Sequence, residues 1–464
     1  MIFIFWFVHI VRRTLFFSYL FQLKEYRLDR FLEEASRNRK IIFSKYFFLG
    51  IISLFFRQWI VFLYLFLFAY SLFLLIRKKW QLPVFTKKMI VWLGLTLFLE
   101  ISLFFTFSFA FFAPILEIFF PVFIYFCLLI VQIFVFFEKK RIINKAKKRN
   151  LDMKVIGITG SYGKTSMKEI LYCLLEKKYK VVKTKEHVNT EMGVAKTVLG
   201  IKEADVFICE MGAYKKGEIK DICDIAKPEI GILTGINEQH LALFGSQENI
   251  IKGKYELIES LPENGLAVFN GENRHCLELY KKTNKNKIIY NYPEKIEVST
   301  TGSRFSLDGF EFKTKLLGKH NVLNIVGAVR VAQKLGIDLQ TCAKVVGELE
   351  QELGGMTLKG RIIDSSYSSN PTGVMFALEY LSLFKGKKAI VLPGIIELGK
   401  ASKAVHRKIE DKILEVCDVA ITTTKGIFDK IEYVADIDKI AKRLEKADAI
   451  LIEGRVSKNL INKL

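Results

Sequence analysis

The front of this chain contains stretches whose backbone only helix formation can satisfy in an apolar medium. Residues 58–76, 89–112 and 115–137 are runs of Phe, Leu, Ile and Val with almost no charge. A bilayer core about 30 Å thick needs roughly 20 such residues, and in hydrocarbon every N–H and C=O must be bonded within its own segment. Three spanning helices are therefore expected. Residues 1–23 make a further span or an interfacial helix, since Arg12 and Arg13 interrupt them. The uncharged link at Ala113 and Pro114 suits the outer side, while the basic "RKKWQLPVFTKK" and "EKKRIINKAKKRN" suit the cytoplasm. The stretch "QLKEYRLDRFLEEASRNRK" is also basic. Either 46–76, with Arg57 inside it, forms a re-entrant or interfacial hairpin, or the charge rule fails here. Glu100 and Glu117 fall inside spans, where a carboxylate marks a functional path or faces the bundle interior. The start "MIFIFWFVHIVRRT" lacks a basic leader and a small-residue cleavage site, so it reads as retained. The expected location is the cell membrane, multi-pass, with the remainder of the chain in the cytoplasm.

From about Asn150 the composition is that of an ordinary soluble protein, so the apolar excess belongs to the front. The net charge of +22 comes from basic residues beside the apolar segments and from scattered lysines. No aromatic-interleaved basic platform is present, and a nucleic-acid partner is not expected. Seven cysteines without a CxxC pair signal neither a zinc site nor a disulfide framework. Short β-branched runs then alternate with helical patterns: "KVIGITG", "ADVFICEMG", "EIGILTGI" and "LAVFNGEN", followed after Gly360 by "RIIDSSY", "KAIVLPGI", "DVAITTTK" and "AILIEGR". This alternation predicts parallel, doubly wound sheets. The expected fold is an α-helical transmembrane region (1–150), an α/β phosphate-loop parallel-sheet ATPase domain (151–353) and a C-terminal Rossmann-like α/β domain (354–464).

Every chemistry-bearing motif falls just after a predicted strand. In "GITGSYGKTSMKEIL" a glycine-rich turn joins a strand to a helix. Gly160 and Gly163 let backbone N–H groups approach phosphates, with Ser161 and Ser166 in the same loop. Lys164 neutralises β and γ oxygens, and Thr165 reaches Mg²⁺. The pattern departs from a strict GxxxxGK, because Gly157 stands one residue too early. Glu210 closes "VFICE", with Glu218 beyond it, and His240 follows "GILT". A carboxylate and an imidazole beside a phosphate loop can hold a second divalent ion.

These motifs carry a resemblance. "GITGSYGKTS", "HVNTEMGVAKTVL", "CEMGAYKKGEI", "GINEQHLALFGSQENIIKGKYELIES", "GKHNVLNIVGAV", "SSYSSNP" and "PGIIELGKASKAVH" resemble, in order, the Mur ligase family, most like the branch that adds D-alanyl-D-alanine to a muramoyl tripeptide. The resemblance implies ATP-dependent amide formation: a substrate carboxylate becomes an acyl phosphate, and an incoming amine displaces the phosphate. It implies that Thr165 and Glu210 bind one magnesium and His240 another, and that Lys254 is carbamylated and supports the second metal. Lys252 lies two residues earlier and leaves that register open. Asn270, Asn324 and Asp364 would contact the nucleotide, and Asn189 and Thr190 would face substrate.

The departures bear on the amine side. Ser365 stands where the family has a second aspartate, the junction "LGGMTLKGR" offers only Lys359 or Arg361 for the family's arginine, "GII" replaces Gly-Asp-Met, and Ala242 replaces a glutamate. The family's UDP-sugar-binding domain has apolar helices in its place. The expected enzyme is a membrane-anchored acid–amino acid ligase in cell-wall peptide synthesis. Its expected partners are ATP, a lipid-linked or UDP-linked carboxylate-bearing precursor, an amino acid or dipeptide amine, and membrane lipid. A polyglutamate-type ligase or a catalytically degenerate nucleotide-binding membrane protein are the alternatives.

Overall fold

The structure, a computed structural model, describes residues 2–23, 51, 55, 59–106, 109–367, 369–454, 456, 458–461 and 463–464. It divides into two compact units, Met1–Arg141 and Ile142–Leu464. In the first, helices cover Ile2–Leu23, Ile60–Ile76 and Lys87–Thr106, and a fourth helix, Phe109–Lys147, runs on past its end. By length and composition, Phe3–Leu23 and Met89–Thr106 could cross a membrane, whereas Ile60–Ile76 has only 17 residues. Most of the segment expected to form a hairpin before Ile60, Arg57 included, lies outside the described residues.

The expected link at Ala113 and Pro114 is corrected. One helix ends at Thr106, the next begins at Phe109, and both residues lie inside it. Proline near a helix start removes a single N–H from the ladder, so it does not force a turn there. Glu100 is fully buried and accepts a hydrogen bond from Thr14 Oγ1 at 3.1 Å, so it faces the interior of this unit. The side chain of Glu117 lies outside the described residues.

The second unit begins inside the long helix, since Ile143 and Ala146 are buried in its core. Lys147 pairs with Asp224 at 3.1 Å, and the Arg149 guanidinium caps the carbonyls of Val198 and Ile201. Six parallel strands follow: β1 (Lys154–Thr159), β2 (Val181–Lys183), β3 (Val206–Glu210), β4 (Ile230–Leu233), β5 (Leu266–Asn270) and β6 (Asn286–Tyr290), in the order β2-β3-β1-β4-β5-β6. β1 and β3 are almost wholly buried, as expected of strands covered on both faces. One face packs Ile156 and Ile158 against helices Lys164–Leu175 and Lys319–Lys334; the other packs Val155 and Phe207 against helices Glu191–Gly200, Glu218–Ala226 and Gln247–Glu259. From β1 the chain crosses past β3 to β2 on one side, and from β3 it crosses back over β1 to β4 on the other, so the crevice at the carboxyl end of β1 is the switch point where such sheets bind ligands.

A small antiparallel sheet, β7 (Ile296–Ser299), β8 (Gly302–Leu307) and β9 (Phe310–Thr314), adds Phe305, Leu307 and Phe312 to the first core. The turn Gln351–Gly354 leads to a second six-stranded sheet, β10 (Thr357–Lys359), β11 (Ile362–Ser365), β12 (Lys388–Leu392), β13 (Val419–Thr422), β14 (Glu432–Tyr433) and β15 (Ala449–Glu453), ordered β10-β11-β15-β12-β13-β14. Only β10 runs antiparallel, at the edge. The seven cysteines are all free.

Candidate active site

The loop after β1 is shaped by two glycines. Gly160 lies so close to β4 that a Cβ would meet Thr234 Oγ1 at 2.1 Å. Gly163 starts the helix Lys164–Leu175 at φ 76, a left-handed conformation that costs other residues about 1 kcal/mol. The turn is held from outside: Ser161 N donates to Gly235 O at 2.7 Å and Thr234 Oγ1 to Tyr162 O at 2.5 Å. Lys164 Nζ folds back onto Gly160 O at 2.7 Å, and burial pulls its pKa below the ordinary lysine value, with Glu210 acting the other way.

Glu210 ends β3 beside this loop and is buried. Its Oε2 accepts from Thr165 Oγ1 at 3.1 Å and from Lys168 Nζ at 3.0 Å; its Oε1 accepts from Asn189 Nδ2 at 3.1 Å. Burial works to raise the carboxyl pKa, but the charges of Lys164 and Lys168 and the hydrogen bonds from Asn189 and Lys168 outweigh it and hold the group below its ordinary value. Lys168 is a site residue that the sequence reading missed. It is fully buried on the apolar stripe of its helix with Met167, Leu171 and Leu174, and a lysine on such a stripe needs a carboxylate partner.

Helix Gln247–Glu259 resolves the two lysines. Its buried stripe is Ile250, Gly253, Lys254, Leu257 and Ile258. Lys252, two positions round the helix, is exposed and pairs with Glu248 at 2.7 Å. Lys254 is buried with its Nζ over the Phe244 ring at 5.8 Å, and burial, assisted by Lys164, lowers its pKa to about 7. His240 heads the short helix Leu241–Phe244 at φ 65, with Tyr214 edge-on at 4.7 Å. Burial lowers its pKa, with Lys254 and Lys164 adding to the effect and Glu397 opposing it.

The other expected residues are placed as follows. Asn324 Oδ1 lies 3.0 Å from where a Gly163 Cβ would sit, so it flanks the loop. The Asn270 amide is engaged with backbone, donating to Thr234 O at 2.7 Å and accepting from Glu272 N at 2.9 Å. Thr190 caps its helix through Gly193 N at 3.4 Å, and Asp364 accepts from Ser366 N at 2.9 Å in the second sheet. Glu218 accepts from Tyr214 N at 2.7 Å. No group of three or more His, Cys, Asp or Glu gathers among the described residues.

The second sheet's half closes over this edge. Asn237 Nδ2 donates to Thr372 Oγ1 at 2.9 Å and Asn370 Oδ1 at 3.2 Å, the rings of His187 and Tyr367 stack at 5.2 Å, and Glu397 reaches His240. Glu397 was also missed, although it lies within "PGIIELGKASKAVH". A glycine nest at a helix N-terminus with a lysine, a hydroxyl and an ionised carboxylate can hold a polyphosphate with a divalent cation.

Fold and site together define a phosphate-loop α/β protein with a second doubly wound sheet docked on the phosphate edge. Residues 158–332 match the Mur ligase middle domain. The chain is 31% identical over 335 residues to the UDP-N-acetylmuramoyl-tripeptide--D-alanyl-D-alanine ligase of Borreliella burgdorferi, covering 65% of this chain and 72% of that one. It is 32% identical over 280 residues to the ligase of the same name from Bacillus subtilis, covering 57% of this chain and 61% of that one, less than two thirds of the relative's length. A MurF ligase from Thermotoga maritima solved with ADP superposes with a TM-score of 0.61 at 27% identity over 70% of this chain and 82% of that one. A MurF structure from Acinetobacter baumannii gives 0.63 at 23% identity over 70% and 79%, which shows the shared fold. The chain belongs to the Mur ligase family.

Proposed function

We propose that the chain is an ATP-dependent acid–amine ligase in peptidoglycan synthesis, working through an acyl phosphate. In this reading 151–353 bind ATP and the acid and 354–464 bring the amine. Two separate six-stranded sheets and the contacts between their edges support the division. One observation carries the reading: Lys164, Thr165, Glu210, His240 and Lys254 gather around one phosphate loop, and the second half closes over it. The names of the relatives above support a UDP-linked muramoyl tripeptide as acid and D-alanyl-D-alanine as amine. They lend nothing to the polyglutamate-type or degenerate alternatives.

The Thr165 hydroxyl and the ionised Glu210, 3.1 Å apart, suit magnesium, which takes one or two protein oxygens and completes its shell with phosphate and water. Bound there, the ion would offset charge on the transferring phosphoryl group. Lys164 would swing from Gly160 O to the phosphates, and Asn189 and Lys168 keep the Glu210 carboxylate ionised and aimed. Lys254, with its pKa near 7, presents a neutral amine at physiological pH. That neutral amine can add carbon dioxide to form a carbamate and release one proton, placing an anion beside His240 where the side chain had been uncharged. Asn324 would flank the nucleotide at Gly163, with Asn270 shaping the same edge through its backbone bonds.

The apolar helices of the first unit support a membrane anchor, with the ligase on the cytoplasmic side and a lipid-linked or membrane-proximal acid as a further substrate class. The test is product analysis. The full chain in lipid nanodiscs is given Mg-ATP, D-alanyl-D-alanine and either the soluble UDP-precursor or its lipid-linked counterpart. Amide product with stoichiometric ADP and phosphate is expected. ATP binding without amide from either acid would overturn the ligase reading, and amide from the soluble acid alone would remove the case for a lipid-linked substrate.

A further inference from the structure

Six non-glycine residues among those described have φ above zero, and two of them meet. His240, in the loop after β4, and Glu397, in the loop after β12, both stand at φ 65. Side chains other than glycine reach this region at a cost, and such outliers persist only where surrounding contacts impose them. Here the contacts are mutual. His240 Nδ1 lies 2.5 Å from Glu397 Oε2, and Ala242 N donates to Glu397 O at 3.0 Å. The approach is backbone to backbone, since a Cβ on Gly399 would lie 3.1 Å from Ala242 Cα.

In the neutral ring only one nitrogen carries a proton, and a carboxylate against Nδ1 places that proton there. Nε2 is then left as a lone-pair donor on a side chain that is partly exposed. Imidazoles that bind a metal or a phosphoryl oxygen's counter-ion are commonly oriented this way by a carboxylate behind them. Lys164 and Lys254 are both close enough to act on the ring electrostatically, so the ring lies between a carboxylate in one half and the lysines of the phosphate site in the other.

We propose that Glu397 is a positioning residue: supplied by the second half, it fixes the ring and tautomer of His240, so the phosphate site is fully assembled only when that half is docked. The proposal rests on the reading of His240 as part of a phosphoryl-transfer site. It adds a coupling between the amine-bringing half and the phosphate site, carried by the side-chain bond from His240 to Glu397 and backed by the backbone bond from Ala242 N to Glu397 O. ATP bound with the halves apart would meet an unoriented imidazole, and idle hydrolysis would be suppressed until docking.

The test uses the full chain in nanodiscs with ring-¹⁵N-labelled histidine; the chain has six histidines, and His240→Asn assigns the signal. Glu397→Gly removes the carboxylate and suits the left-handed backbone, so it separates positioning from folding. Glu397→Gln keeps an acceptor for Nδ1–H. The wild type and Glu397→Gln should show a fixed Nδ1–H tautomer, and Glu397→Gly a mixture of tautomers with an unchanged or raised thermal midpoint. The magnesium concentration for half-maximal turnover should rise about tenfold in Glu397→Gly, with partial return in Glu397→Gln. A Glu397→Gly chain whose His240 signal and magnesium dependence match the wild type overturns the proposal. Should His240→Asn turn over ATP normally, the functional reading of His240 falls, while the tautomer measurement still decides whether Glu397 orients the ring.

Discussion

Two lysines near the phosphate loop are pulled down by burial, and they make different demands. Among the described residues Lys164 bonds only to Gly160 O, so Lys164→Ala should cut ATP turnover roughly 100-fold or more while leaving the thermal midpoint within a degree or two. Phosphate release and calorimetry on the same sample check both parts. Lys254 has a folded pKa of about 7 against the ordinary lysine value of 10.5, so between those values the unfolded chain binds more protons. Stability of the metal-free, carbon-dioxide-free protein should therefore rise as pH goes from about 7 to 10, and Lys254→Met should flatten that slope. Urea titrations at three pH values settle it; an unchanged slope would mean that Lys254 is not the group responsible. Activity of Lys254→Ala should be lost and partly return with a short carboxylate. Which of two neighbouring lysines mattered was not legible from "KGKYE" alone. Helical phase decides it: Lys254 shares a stripe with Ile250 and Leu257, whereas Lys252 faces solvent.

At the scale of elements, β3 and the helix Lys164–Leu175 are joined by the buried pair of Glu210 and Lys168 at 3.0 Å. Removing one partner of such a pair leaves an uncompensated charge, at a cost of roughly 3 kcal/mol, part of which Glu169, 3.5 Å from Lys168, offsets. Glu210→Gln should be destabilised by about that amount, and adding Lys168→Met should recover most of it; a double-mutant cycle in urea measures the coupling. Strand and helix order was readable because each unit has its own signal: a β-branched run, then a capped or glycine-started helix. The small antiparallel sheet was passed over, although Asp308 at φ 50 and Gly309 at φ 83 form the Asp-Gly turn that marks a hairpin. Strands β2, β10 and β14 have two or three residues each, too few to show a period.

For the whole molecule, the boundary between its two units falls inside the helix Phe109–Lys147 and not at its end. A chain starting at Leu151 would lose Ile143 and Ala146 from the core together with the Lys147–Asp224 pair. It should be about 2 kcal/mol less stable than one starting at Glu138, as compared by thermal melts. The full chain should stay with membranes through a high-salt wash, and the chain from Glu138 should be released; release of both would leave the anchor without support. Sequence alone determined the apolar front, the strand–helix alternation and the phosphate loop, because each is written in neighbouring residues: continuous apolarity, periodicity and glycines between a strand and a helix. Only the tertiary structure decided that Lys168 neutralises Glu210, that Lys254 is the buried lysine, that Ile143 and Ala146 belong to the second core, and that Glu397 meets His240 across 157 residues. Such pairings depend on how whole sheets and loops pack, and no local pattern in the chain encodes the approach of two loops so far apart in sequence.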